Sequence, residues 1–423
     1  MFIKYKGVFI KMNNIARSHK LLIAFTILAI LSVGCSKQFS SEKLTKENNT
    51  SEIISNKDKT EKDTSSKINS GLLIGLSKNN EINTKLNPMN RIPNDYRTLW
   101  IYQDNANITY KEKKNEIIAP YKDSFYKIGN NKFSMSDPSS DAKKQPDDIL
   151  NNFQSYYNFS NVVSHPADKP MNDLFTSETF KKKYLHDKEG YLGEPFKSQT
   201  QWLSYVGNNY ASVMDYYFET GGGSYKSVSN DFKMYGLGNL SSLDGQGKFV
   251  TLFDLLDESQ QLKLKGYSQK YNKIINSDKN YKEEQLIDSK NLQLSRKEGK
   301  WQVSIPLYKV YQHNGNGSSG KTVEQYIDTD IKIPTKITSH DSLCISWDTI
   351  KQKIPQAKDA VSSPNNDMLV VLTPYKLLIF TNPKLGIDKP ALSIDVDGNE
   401  SIILNQWATG EFVDKWTKLI SDY

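Results

Sequence analysis

The chain has 423 residues, 24% of them charged and 37% hydrophobic, with 55 Lys or Arg against 48 Asp or Glu and a formal charge of +7. Five of those basic residues and no acidic ones fall within residues 1–34, so the remainder carries only +2 and offers no general surface for a polyanion. No cluster of Lys and Arg with interleaved aromatics occurs, which excludes nucleic acid as the expected partner. The two cysteines, Cys35 and Cys344, permit at most one disulfide, so the body is expected to rely on burial alone.

The first element is an apolar run from Leu21 to Val33, preceded by Lys4, Lys6, Lys11, Arg17 and Lys20 and closed by Gly34-Cys35-Ser36. Basic residues, a short apolar core and a small residue at a cut site form a secretory signal. A spanning helix needs about 20 apolar residues, and the uncharged window Leu21 to Ser36 is shorter and partly polar. Met12 to Lys20 already supplies an adequate basic region, so Met1 and Met12 both fit as starts. Leu31-Ser32-Val33-Gly34-Cys35 resembles the lipobox of bacterial lipoproteins, with Ser32 where Leu is usual. The resemblance implies a signal peptide over 1–34, cleavage between Gly34 and Cys35, and diacylglyceryl transfer to the Cys35 thiol. It also implies anchoring of a monomer at the outer face of the cell membrane.

Residues 35–90 change to Ser, Thr, Asn, Lys and Glu with mixed charges, as in Lys57-Asp58-Lys59-Thr60-Glu61-Lys62-Asp63. Such composition buries too little apolar area to offset ordering entropy and predicts a disordered tether. Gly71-Leu72-Leu73-Ile74-Gly75-Leu76 is its one apolar patch, suited to docking on the folded body.

Residues 91–423 carry mostly strand signals. Thr98 to Tyr102, Ser124 to Ile128, Trp202 to Val206, Tyr210 to Phe218 and Val228 to Tyr235 are rich in β-branched and aromatic residues. Gly207-Asn208-Asn209 and Gly221-Gly222-Gly223 supply turns between them, as in a meander. Further strands are expected at Phe249 to Leu252, Asn291 to Ser295, Trp301 to Tyr311 and Tyr326 to Ile333. Four more, Met368 to Leu372, Leu377 to Phe380, Leu392 to Val396 and Ile402 to Leu404, follow Ser362-Ser363-Pro364-Asn365-Asn366, with Asp397-Gly398 expected as a hairpin turn between the last two. Helices are expected from Leu252 to about Ile275, over Trp347 to Ile354 before Pro355, and from Thr409 to Ile420, where Phe412, Val413, Trp416, Leu419 and Ile420 share one face.

The fold class is therefore mainly β, in antiparallel meanders with a few helices. Residues 362–423 resemble a propeller blade of the Ser-Pro-Asp-Gly type followed by a closing helix, which implies a β-propeller-like body. The alternative is an α+β antiparallel sheet with packed helices.

Chemistry-bearing motifs are few. Gly315, Gly320, Lys321 and Thr322 match the phosphate-loop pattern letter for letter, but that loop must join a buried strand to a helix. Tyr326 to Ile333 instead reads as a strand, so a hairpin loop is expected and no nucleotide. The histidines (His19, His165, His186, His313, His340) have no metal spacing, and no metal or other cofactor is expected. Asp395 to Glu400 lacks the Gly and distant Glu of a calcium loop. Cys344, in an apolar run, reads as a small buried hydrophobe. The 24 tyrosines suit ordinary sheet positions or a stacking surface for sugar or peptide.

Tyr205-Val206-Gly207-Asn208-Asn209-Tyr210-Ala211-Ser212-Val213, Glu219-Thr220-Gly221-Gly222 and Phe249 to Leu256 resemble the extracytoplasmic domain of lysozyme-sensing anti-sigma factors over about 55 residues. Gly223-Ser224 stands where those domains carry His. Ser363-Pro364-Asn365 and Gln406-Trp407-Ala408-Thr409-Gly410 resemble uncharacterised lipoproteins of Gram-positive bacteria. The expected function is non-enzymatic binding of a cell-wall glycan, peptide or protein, the alternative a cell-wall hydrolase with an unrecognised carboxylate site. Cys35→Ser should leave the chain unlipidated and unprocessed, read as loss of fatty-acid incorporation and a mass that retains residues 1–34.

Overall fold

The chain alternates β-branched or aromatic residues with polar ones over most of its length, a pattern that buries one face of a pleated strand. A computed structural model describes residues 67–80, 91–122, 124–136, 156–168, 197–221, 224–237, 249–278, 280–313, 320–338 and 340–423. The signal, Cys35, most of the tether, the central Gly222-Gly223 of one turn and Gly315 lie outside them.

Twenty strands form among the described residues. The largest sheet contains β1 (Ser70–Lys78), β2 (Asp95–Asp104), β3 (Asn107–Lys114), β4 (Ile117–Tyr121), β5 (Ser124–Ser136), β6 (Tyr156–Pro166), β7 (Lys197–Val206), β8 (Tyr210–Gly221), β9 (Ser224–Gly236) and β10 (Phe249–Val250). Between Val250 and the next strand lie α1 (Leu252–Leu255) and α2 (Glu258–Tyr271). A second sheet comprises β11 (Lys273–Ser277), β12 (Tyr281–Ile287), β13 (Gln293–Lys297), β14 (Lys300–His313) and β15 (Gly320–Asp328). After α3 (Trp347–Lys353) comes a third, the consecutive meander β16 (Asp359–Ser362), β17 (Met368–Leu372), β18 (Lys376–Thr381) and β19 (Leu392–Asp395). The chain then returns to the first sheet as β20 (Glu400–Thr409) and ends in α4 (Glu411–Asp422).

The path of the first sheet runs β10-β9-β8-β7-β20-β1-β2-β3, with β4-β5-β6 joined through a parallel pairing of β6 with β7. The described body is thus strand-rich, with mainly antiparallel pairing and few helices.

The expected tether gives way at Ser70–Lys78, a correction to the boundary at residue 90. This segment is an interior strand between β20 and β2. Leu72, Ile74 and Leu76 share a core with Leu99, Ile101 and the β16–β19 sheet, while Leu73 packs with Trp100, Ile117 and Phe125 on the other face. A strand buried on both faces reads as a continuous apolar run. Each of these fully buried leucines and isoleucines contributes about 1.5–3 kcal/mol.

Three other expectations are corrected. Asp397-Gly398 turns the chain, with the Glu400 N–H donating to the Asp397 carbonyl at 2.9 Å, but β19 and β20 do not pair. Arg97 captures Glu400 at 2.7 Å and draws β20 beside β1. The Leu252 to Ile275 helix is two helices, because Leu256 is extended and the Asp257 carboxylate caps a new start at Gln260; Ile274 and Ile275 belong to β11. The strand expected over Tyr326 to Ile333 ends at Asp328, where Thr329 N–H and Oγ1 both donate to the Val303 carbonyl.

The closing helix forms as its pattern predicts. Val413, Trp416, Leu419 and Ile420 join the core around Trp100 and Phe125, and Trp100 Nε1 donates to Thr417 Oγ1 at 3.0 Å. A Cβ on Gly71 would lie 2.3 Å from the Trp100 ring. Gly71→Ala should therefore lower stability by about 1–3 kcal/mol, read as a lower denaturation midpoint. Gly266→Ala in α2, where a Cβ meets nothing within 4 Å, should raise it by up to about 1 kcal/mol.

Candidate functional site

Two recesses draw on residues far apart in sequence. The first, of about 320 Å³, is walled by Trp301, Trp407, Trp416, Phe412 and Tyr205, with the amides of Asn208, Asn209, Asn405 and Gln406 between the rings. His340, Lys122, Thr338, Pro120 and Pro364 complete it, and no carboxylate is among these lining residues. Aromatic walls with a few placed polar groups are the usual make-up of a small-molecule site.

Local chemistry explains how the walls are held. The Gly207-Asn208-Asn209 turn closes β7 onto β8, with Gly207 N–H donating to the Tyr210 carbonyl at 2.8 Å. Gly207 must be glycine, since a Cβ there would lie 2.1 Å from the Tyr205 hydroxyl. That hydroxyl donates to the Ile337 carbonyl, and burial pushes its ionisation far up. The Tyr205 ring meets Trp301 edge to face, centroids 4.7 Å apart. Trp301 Nε1 donates to Asn405 Oδ1 at 3.1 Å, joining β14 to β20. Phe125 and Trp100 hold Trp416 at ring distances of 5.3 and 5.6 Å. Phe412 remains 51% exposed at the rim.

The second recess, of about 360 Å³, is lined by Trp202, Ser204, Gln293, Ser295, Arg296, Lys358, Asp359 and Glu400 among others. Its charges are committed internally. Arg296 Nε donates to Asp359 Oδ2 at 2.7 Å, and its terminal nitrogens donate to Asp341 at 2.9 Å and to the Ala360 carbonyl at 2.9 Å. Asp359 also accepts from Gly299 and Ala360 N–H, and Asp341 from Trp301 N–H. Burial alone would lower the Arg296 guanidinium, but Asp359 and Asp341 outweigh it and raise it. Glu400 takes two hydrogen bonds from Arg97 at 2.7 Å and one from the Asp397 N–H at 2.8 Å. Both carboxylates are thus held by an arginine and by backbone N–H groups.

The singled-out residues fall as follows. Gly320, Lys321 and Thr322 lie on β15, paired with Tyr311, Val310 and Lys309 of β14, and no helix starts there. Lys321 sits 3.7 Å over the Tyr308 ring. Cys344 is a free, half-buried thiol that accepts from Ser362 Oγ at 3.2 Å. His340 donates from Nε2 to the Ser362 carbonyl at 3.0 Å, so its neighbourhood with Cys344 is mediated by β16. Buried His165 contacts its own Pro166 carbonyl, and exposed His313 packs on Tyr281. Among the described residues no three His, Cys, Asp or Glu side chains could hold a metal ion, and no helix is long and apolar enough to cross a membrane.

Of the stretches that resemble anti-sigma domains, Tyr205 to Val213 is the β7–β8 turn and Thr251 to Leu256 a helix start with a Thr251–Asp254 capping box. Gln406-Trp407 and Asn208-Asn209 stand out in the sequence for other reasons, and no local pattern marks Asn405 or Trp301 as site residues. No protein-family model and no curated protein matches this sequence.

Arg296→Met should cost about 3–5 kcal/mol by leaving buried Asp359 and half-buried Asp341 without their counter-ion. Lys376→Ala, at the exposed pair with Asp395, should cost under about 1 kcal/mol. Denaturant midpoints of the two variants compare the effects directly.

Proposed function

We propose that this chain is a lipid-anchored extracytoplasmic binding protein, with the aromatic and amide-lined recess as its ligand site and a cell-wall saccharide as its ligand. The observation that carries the reading is the recess itself: three tryptophans, a tyrosine and a phenylalanine, four amides, and no carboxylate. Flat rings offer faces to the C–H side of a sugar, and amides serve both its donors and its acceptors. A glycosidase needs two carboxylates flanking the bond, and the carboxylates Asp359 and Glu400 lie in the other recess under arginine clamps. The anchor rests on the Leu31 to Cys35 motif, and acyl chains at Cys35 would hold the protein at the outer membrane face.

The same reading takes the body as propeller-like, with five strand groups: β20–β1–β2–β3, β4–β6, β7–β10, β11–β15 and β16–β19. Supporting it, the C-terminal β20 pairs with the N-terminal β1, and the third sheet packs on the β1–β2 face. Both recesses draw on several groups, Pro120, Tyr205, Trp301 and Asn405 at one and Ser204, Ser295, Asp359 and Ile402 at the other.

Titrating the full chain in detergent with soluble peptidoglycan fragments should change its tryptophan fluorescence saturably. Phe412→Ala should weaken that binding about three- to tenfold, in keeping with roughly 0.5–1.5 kcal/mol for an aromatic contact. Release of new reducing ends during the titration would favour the hydrolase instead, and no saturable change would sink the binding role.

A further inference from the structure

Asn405 is the one recess amide whose orientation is fixed by a donor-only partner. An indole N–H can only donate, so the 3.1 Å bond from Trp301 Nε1 identifies the atom it meets as Oδ1. The amide Nδ2 is therefore a donor, and it has no partner among the described residues. Asn405 is only 8% exposed and lines the recess. An amide donor that no described protein group occupies is open to an acceptor on a ligand.

We infer that the recess selects a saccharide bearing an N-acyl group, with the acyl carbonyl oxygen accepting from Asn405 Nδ2. This rests on the saccharide-binding reading above and narrows its ligand class. An amide carbonyl accepts more strongly than a hydroxyl, and the acyl methyl adds apolar surface suited to the Tyr205–Trp301 edge-to-face pair. A free amino sugar brings an ammonium, which has donors only and meets the Asn405 donor head-on. A carboxylate sugar also brings an acceptor, but desolvating its charge against a neutral amide opposes it, and the Lys122 ammonium that would attract it lies exposed at the margin, where such a pair is worth little.

The test compares three tetrasaccharides on the full chain: those of N-acetylglucosamine, glucosamine and glucose. Wild-type protein should bind the N-acetylated tetramer at least tenfold more tightly than either of the others. Asn405→Asp keeps an oxygen for Trp301 Nε1 and replaces the free donor by an acceptor. It should lose that preference and gain affinity for the glucosamine tetramer. A thermal melt within a few degrees of wild type shows that the variant is folded; the wild-type comparison stands without it. Equal wild-type affinity for the three tetramers, or preference for glucosamine or glucose, overturns the N-acyl assignment while leaving saccharide binding intact. Absence of binding by all three, with binding of a non-saccharide wall component, overturns both.

Discussion

The Arg296 guanidinium is the point on which the body turns. It belongs to β13, it is clamped by Asp359 of β16 and by Asp341 in the segment before α3, and its carbon lies 5.1 Å over the Trp301 ring. One side chain thus ties the second sheet to the third and backs the indole that walls the recess. A buried ion triad of this kind is seldom a net source of stability relative to an apolar replacement. Its value here is positional. Asp341 accepts from both the Arg296 guanidinium and the Trp301 N–H, which fixes Trp301, and the Trp301 indole N–H in turn fixes the Asn405 amide. Arg97 of β2 repeats the device on a smaller scale, holding Glu112 of the adjacent β3 and reaching across β1 to Glu400 of β20.

Such clamps have a particular role in a body whose Cys344 is a free thiol. Its β20 and α4 come from the far end of the chain and must find β1 and Trp100 more than 300 residues away in sequence. Burial supplies most of the driving force, because β1 is apolar on both faces. Burial is nevertheless non-directional, whereas the Arg97–Glu400 pair is specific to one register: Glu400 sits opposite Lys78 on β1, and Lys78 in turn pairs with Asp397. Hydrophobicity brings the strands together, and charge sets the register.

Much of the fold was legible from residue patterns. The strands of the β7–β9 meander, the strands β17–β19 and the amphipathic closing helix follow from periodicity and turn chemistry, whereas β16 carries no comparable signal. Two features were hidden for physical reasons. Ser70–Lys78 sits in a polar stretch, and composition averages over a window wider than one strand. The departure of β20 from β19 depends on Arg97, some 300 positions earlier, and no local turn signal at Asp397-Gly398 reports that distant partner. The recess was less legible still. Tyr205, Trp301, Asn405 and Trp416 come from four separated segments, and a lone Trp or Asn on a strand looks the same whether it faces a core or a cavity. Only the Gly207-Asn208-Asn209 turn and the Gln406-Trp407 pair stood out, each for another reason.

Binding and hydrolysis make opposite demands on buried carboxylates. A hydrolase must leave one carboxyl protonated and another exposed to substrate, so it keeps strong cations and multiple N–H donors away from at least one of them. Here the carboxylates deepest in a recess are the ones most heavily supplied with donors. Asp359 receives Arg296 and two backbone N–H groups, and Glu400 receives Arg97 and one. Those donors occupy most of the lone pairs through which either carboxylate could take up a proton. The other recess presents neutral donors instead, the Asn405 amide and the Trp407 indole N–H. Carboxylates line one cavity, where they are tied to arginines and backbone N–H groups, and none lines the other, the division on which the proposed binding role rests.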